Sequence, residues 1–255
     1  MDFAQEKMLE LYEKLYLDLN RRKSDTGSMQ NLSFFSIMEG KNYKMNENIR
    51  LLLIGRAVNG WGVISADNGR VFAETALEQY KCRHFDSWLK SVNGTLVSNY
   101  VDKNGIEKLY HPGPFFEYAK SVYESLNGKF CDPVWLEHIA WTNLYKISPS
   151  EGGNPYGELK DIQKSTCVEI LRNDIELLKP THMLCMTGYN EWFDGFEEIF
   201  QDVKYYGKNI LRGKDRNNVY VEAVGRYQDT KVVVTCRPEF RPRDVFVEAV
   251  CKAFQ

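Results

Sequence analysis

Three arginines, Arg237, Arg241 and Arg243, crowd into seven residues directly after the apolar run Lys231-Val232-Val233-Val234-Thr235. A guanidinium is permanently charged and forked, so it suits a phosphate or a carboxylate. The β-branched run predicts a strand that delivers Arg237 to its carboxyl tip, where open α/β sheets bind their ligands. The same letters also fit a solvated basic face. A second candidate is Gly55-Arg56-Ala57-Val58-Asn59-Gly60-Trp61. Gly55 lets the backbone turn sharply close to a ligand, and Arg56 and Asn59 supply polar reach. This is neither Gly-x-Gly-x-x-Gly nor a P-loop, because the Gly-Lys-Ser/Thr ending is absent. The third candidate is Asn143, which ends the run His138-Ile139-Ala140-Trp141-Thr142, with Lys146 three residues on. Its amide carries both a donor and an acceptor and can pair with the edge of a base or another amide. A turn-capping asparagine fits that position equally well.

Positioning these groups requires strands that alternate with helices. Met8, Leu11, Tyr12, Leu15 and Leu19 recur at helical spacing, which predicts an amphipathic helix over 3–21. A polar stretch then follows, so residues 1–30 are expected to form an amino-terminal helical appendage and residues 31–255 a single domain. Residues 50–54 form a continuous apolar run stopped by Gly55, the pattern of a strand buried on both faces. Helices are expected over 72–83 and 114–126, and a strand over 137–142. A long helix over 159–178 should stop at Lys179-Pro180. A strand over 181–187 follows, closed by Gly188, then a helix through Phe200 and hairpin-like alternation over 206–224. Strands separated by helices imply an α/β fold, a three-layer αβα sandwich around a mostly parallel four-stranded sheet.

Composition bounds the class without naming a partner. With 43% hydrophobic and 27% charged residues the chain can bury a core, and its formal net charge of −2 is not a bulk nucleic-acid signature. The distribution is more telling: residues 168–203 carry eight acids and two bases, residues 204–243 ten bases and four acids. A basic end beside an acidic stretch fits one face turned towards a polyanion, or simply two solvated faces of opposite sign. The cysteines at 82, 131, 167, 185, 236 and 251 form no Cys-x-x-Cys and no short Cys-His spacing, so no metal is expected. No signal peptide and no run of roughly 20 apolar residues is evident, so a cytoplasmic protein with no membrane partner is expected.

In order along the chain, these motifs resemble the uracil-DNA glycosylase superfamily, from about Leu51 to Ala253 with gaps between 90 and 130. The most specific stretch is Thr142-Asn143, Leu144-Tyr145-Lys146 and Pro149, then Leu178-Lys179-Pro180 and Gly188. Gly55 onward is similar to the family's first turn. Gly69-Arg70-Val71-Phe72 looks like its Gly-x-Pro-Phe segment, and Cys236-Arg237-Pro238-Glu239 stands where it carries His-Pro-Ser.

The resemblance implies a uracil-DNA glycosylase-like fold and a base that leaves the stack to sit in a pocket. It implies that Phe72 stacks on that base and Asn143 reads its edge, with Gly55, Arg56 and Arg241 completing the substrate-binding set. Asn59 and Arg237 would be the catalytic pair, one placing water or stabilising a cationic sugar, the other stabilising the leaving base. DNA, or a nucleobase or nucleotide, is the partner implied. The departures are specific. Ala57 aligns with the family's acidic or amide position, Val58 with its Pro, Arg237 with its His and Glu239 with its Ser. Arginine cannot titrate near neutrality. Cys167 lies near one iron–sulfur ligand position and Ile147 stands at another, so no cluster or other cofactor is implied. Both a glycosylase with altered motifs and a non-catalytic binder of a nucleotide, modified base or nucleic acid remain open.

Overall fold

The computed structural model describes residues 2–21, 31–58, 64, 66–82, 89–92, 95–101, 107–110, 113–128, 135–189, 192–200, 202–205 and 220–255. The first helix, α1 (Phe3–Arg21), is followed by two short strands, β1 (Leu32–Phe34) and β2 (Met38–Glu39), and by β3 (Leu51–Gly55). Helix α2 (Gly69–Cys82) leads to a meander of β4 (Leu89–Val92), β5 (Thr95–Val101) and β6 (Glu107–Tyr110). Next come α3 (Pro114–Asn127), β7 (Ile139–Asn143), β8 (Ile147–Pro149), the long α4 (Gly157–Leu178) and β9 (His182–Cys185). The chain continues through β10 (Lys204–Tyr205), β11 (Val221–Tyr227), β12 (Thr230–Thr235) and α5 (Arg243–Ala253).

The main sheet has seven strands in the order β10-β11-β12-β9-β3-β7-β2. Its four central strands are mutually parallel: β12 with β9, β9 with β3, and β3 with β7. The expected four-stranded parallel sheet is therefore the centre of a larger mixed one, extended by antiparallel β2 on one side and β11 and β10 on the other. Strand periodicity divides the core. Leu52 and Ile54 face α1, α2 and α4, while Leu51 and Leu53 face α3 and α5. Helices cover both faces, which is why Leu51 to Ile54 are fully buried and β3 reads as an unbroken apolar run.

Helix α1 corrects the expectation of an appendage. Met8, Leu11, Tyr12, Leu15 and Leu19 belong to the main core cluster. Polar ties fasten it to α4: Asn173 Nδ2 donates to the Ala4 carbonyl at 3.0 Å and Thr166 Oγ1 to Asp18 Oδ2 at 2.8 Å. The helix expected through Phe200 is instead a chain of turns over 192–200, closed by bonds such as Phe196 N to the Phe193 carbonyl at 2.8 Å and Phe200 N to the Glu197 carbonyl at 3.0 Å. Of the expected hairpin over 206–224, residues 206–219 lie outside the described residues, and 221–224 open β11. The helix ends follow local chemistry: α3 begins with Pro114 in its first turn, and α4 stops at Lys179 in a left-handed conformation before Pro180. Among the described residues no helix is long and apolar enough to cross a membrane.

Candidate functional site

Parallel strands end together, so the carboxyl tips of β3, β7, β9 and β12 bring four loops to one edge of the sheet. Gly55 of β3 pairs with Asn143 of β7. That pairing continues past the strand ends, with Leu144 N donating to the Gly55 carbonyl at 2.9 Å and Tyr145 N to the Arg56 carbonyl at 3.0 Å. Met186 N donates to the Ile54 carbonyl at 3.1 Å, and Gly188 N to the Thr235 carbonyl at 2.8 Å. These bonds hold the tips of all four strands in fixed relation.

A cleft of about 210 Å³ opens there. Gly55, Asn143 and Met186 line it, with Phe115, Phe116 and Trp141 as an aromatic wall and Arg56, Arg237 and Glu239 on its polar side. Phe116 meets Trp141 edge to face, with ring centroids 5.2 Å apart, and Phe35 packs behind Trp141 at 4.2 Å. The wall is thus braced from the core side.

Asn143 is 1% exposed. A Cβ on Gly55 would lie 2.3 Å from Asn143 Oδ1, so the amide fits only because residue 55 has no side chain. Asn143 Nδ2 is buried and has no hydrogen-bond partner among the described residues. Such a group costs roughly 1–3 kcal/mol unless something else satisfies it.

Beneath Asn143 lies a closed polar triangle. Lys146 Nζ donates to Asp174 Oδ2 at 2.8 Å, to the Asn143 carbonyl at 2.8 Å and to Thr142 Oγ1; Thr142 Oγ1 in turn donates to Asp174 Oδ2 at 2.7 Å. Both charged side chains are 0% exposed. Burial raises the Asp174 carboxyl above its ordinary value, and Lys146 and Thr142 pull it back down. Asp174 escaped the sequence reading, although a signal was there. It sits at helical spacing from Cys167, Ile170, Leu171 and Leu178, where every neighbour on that stripe is apolar. Phe115, Phe116 and Trp141 were also missed, because core and cleft aromatics look alike in sequence.

The predicted site residues divide. Gly55, Arg56, Asn143 and Arg237 line the one cleft. Phe72 does not. It is 1% exposed in the core on the α1 side, its ring 4.5 Å from that of Phe34 and 5.7 Å from that of Tyr16. The aromatic side chains among the described lining residues are instead Phe115, Phe116 and Trp141. Asn59 lies outside the described residues. Arg241 is not among the described lining residues; its carbonyl accepts the Tyr118 hydroxyl, and its side chain hydrogen-bonds Cys236.

Two of the cluster's three arginines already meet carboxylates of the chain. Arg237 grips Glu239 with both arms of its fork, Nε to Oε2 at 2.9 Å and Nη2 to Oε1, and Arg243 pairs with Glu117. Arg56 donates through Nε to the Thr187 carbonyl at 2.5 Å and lies 5.0 Å over the Trp192 ring. Burial pushes the Cys236 thiol up to about 11, so the sulfur at the tip of β12 stays protonated near neutrality and is a poor nucleophile. Beside it the loop turns through the Arg241 N to Pro238 carbonyl bond at 3.1 Å and presents Phe240, fully exposed at a φ of 63°. Among the described residues no group of three His, Cys, Asp or Glu side chains could hold a metal ion.

No protein-family model matches the chain, and no curated protein matches it.

Proposed function

We propose that the cleft receives a nucleobase drawn out of a nucleic-acid strand, and that the chain is a base-excising glycosylase of the uracil-DNA glycosylase type with altered motifs. The observation that carries this is the buried Asn143 amide, whose Nδ2 has no hydrogen-bond partner among the described residues, in the lining of an aromatic-walled cleft at the tips of four parallel strands. A flipped base needs a stacking wall and a hydrogen-bonding edge reader; the cleft's aromatic side chains and Asn143 support that use. The cleft is smaller than the roughly 300–1,000 Å³ of sites that enclose drug-sized ligands, which suits a single ring system with the rest of its strand outside. The resemblance of Thr142-Asn143 to Lys146 and Pro149 supports the same fold and use. Phe240 offers an exposed ring beside the cleft on which a neighbouring base can stack.

In this reading Phe115, Phe116 and Trp141 form the apolar wall and Asn143 donates to a carbonyl or ring nitrogen of the base. Glu239 would orient the attacking water, and Arg237 would stabilise negative charge on the leaving base. A second reading, binding without cleavage, is favoured by two particulars. Ala57 lines the cleft where the resemblance calls for an acid or amide, and Glu239 already occupies the fork of Arg237.

The test is incubation with oligonucleotides carrying uracil, xanthine, hypoxanthine or alkylated bases, followed by alkali. Strand breaks at one of these bases, lost in Asn143→Ala, are the expected result. No breaks with any of them would remove the glycosylase reading. Salt-sensitive binding that persists would then support the binder.

A further inference from the structure

Lys146, Asp174 and Thr142 are not among the described residues that line the cleft, yet they are built into the strand end that carries Asn143. We infer that this buried triangle is a positioning device for Asn143, one that sets the direction of its amide and hence the discrimination made by the site. The inference rests on the reading of Asn143 as the group that meets the ligand.

The geometry is specific. Lys146 Nζ holds the Asn143 main-chain carbonyl at 2.8 Å, so the residue that carries the amide is fixed by a charge-assisted bond rather than by the strand ladder alone. Its other two bonds go to Asp174 Oδ2 and Thr142 Oγ1, which are also bonded to one another. Each of the three fixes the other two. Asp174 projects from α4, so the helix, the strand end and the following turn are locked at a single point. Gly55 presses from the opposite side, with no room for a Cβ between it and Asn143 Oδ1. The main chain of Asn143 is thus held by Lys146, and its Oδ1 occupies the space that a side chain on residue 55 would fill.

Fold stability alone does not account for such a device. A well-packed apolar pair in place of a buried ion pair is often neutral or stabilising. A lysine and an aspartate with no exposure are therefore poor structural filler, and what they add over an apolar pair here is the fixed carbonyl of Asn143.

The test compares the wild-type chain with Lys146→Met/Asp174→Leu, an apolar pair of similar bulk, and with Thr142→Val, which removes one corner without leaving a buried charge unpaired. The first readout needs no ligand: the side-chain amide resonances of Asn143 in a 15N-labelled protein, assigned by their loss in Asn143→Ala. The second is the ratio of affinities for an oligonucleotide carrying uracil and one carrying N3-methyluracil, whose methyl group crowds the two carbonyls to which Nδ2 would donate. Both variants are expected to fold, to shift or broaden the Asn143 amide pair, and to lower that ratio by about tenfold or more, the scale of one misdirected hydrogen bond to a buried group. An unmoved amide pair in a folded variant overturns the inference whatever the ligand is. So does an unchanged ratio. A shifted amide with neither oligonucleotide bound by the wild-type chain leaves the positioning intact and removes the nucleobase reading. If the double variant does not fold, Thr142→Val decides by the same two readouts.

Discussion

Asn143 is held on one side by Lys146 through its carbonyl and on the other by the missing side chain of Gly55. Gly55→Ala would put a methyl group 2.3 Å from Asn143 Oδ1. It should lower stability by about 1–3 kcal/mol, the usual effect of overpacking, in urea unfolding. It should also weaken ligand binding at the cleft more than that loss alone accounts for; binding unaffected by the methyl would show that the amide is not the contact. Glu239 makes a separate residue-scale case, since it occupies the fork of Arg237. Glu239→Gln frees a positive charge beside the cleft. Oligonucleotide affinity should rise, and its salt dependence should steepen by about one phosphate contact in a titration from low to high salt. An unchanged slope would place Arg237 away from the strand. At this scale Asn143, Gly55 and Arg56 were legible as lining residues, since Gly55 and Asn143 end strands whose apolar runs announced the tips and Arg56 follows the first of them. Glu239 as the partner of Arg237 was not, because adjacent letters do not say whether two side chains turn towards each other or towards solvent. Phe72 misled for a related reason: a Phe at the start of a helix packs inward as readily as it lines a cleft.

Elements carry the triangle. Lys146→Met alone leaves Asp174 buried without its counter-charge and should cost about 3–5 kcal/mol in chemical unfolding. Adding Asp174→Leu should restore most of that loss, and a double variant as unstable as the single one would argue against pairing as the source. The four parallel strands, α3 and α4 could be read from apolar runs bounded by Gly and Pro, because burial on both faces leaves a strong mark in sequence. The flanking strands could not. Met38–Glu39 and Lys204–Tyr205 are two residues long, and their pairing depends on an edge supplied by distant segments. The turns at 192–200 carry Trp192, Phe193, Phe196, Ile199 and Phe200 at a spacing that imitates a helix, but those side chains pack inward from successive turns. Periodicity reports which residues are buried, not how the backbone brings them there.

At the scale of the whole molecule, the amino-terminal helix packs into the core and helices cover both faces of the main sheet. Its acid response has an identifiable component in His182, at the start of β9. Burial, with Lys231 adding to it, pushes the His182 imidazole down from 6.5 to about 4. As the pH falls below 6.5 the unfolded chain takes up this proton before the folded one does. Stability therefore falls across the window from 6.5 to about 4, and His182→Gln should flatten that part of the profile in urea midpoints measured at successive pH values. A profile with the same slope in the variant would assign the acid response elsewhere. The uneven charge along the chain, readable in the sequence, does not survive as an open basic face at the arginine loop, where Arg237 and Arg243 each meet a carboxylate. The central claim, that Asn143 meets a nucleobase in this cleft, is tested most directly by equilibrium binding. Wild-type chain and Asn143→Ala would be titrated with oligonucleotides carrying uracil, xanthine, hypoxanthine or an alkylated base, each against its unmodified counterpart. The account predicts that at least one modified strand is preferred by the wild-type chain and that Asn143→Ala loses about tenfold or more of that preference, the worth of one edge contact. Equal affinity for every modified strand and its counterpart, or a preference that Asn143→Ala retains in full, would contradict it.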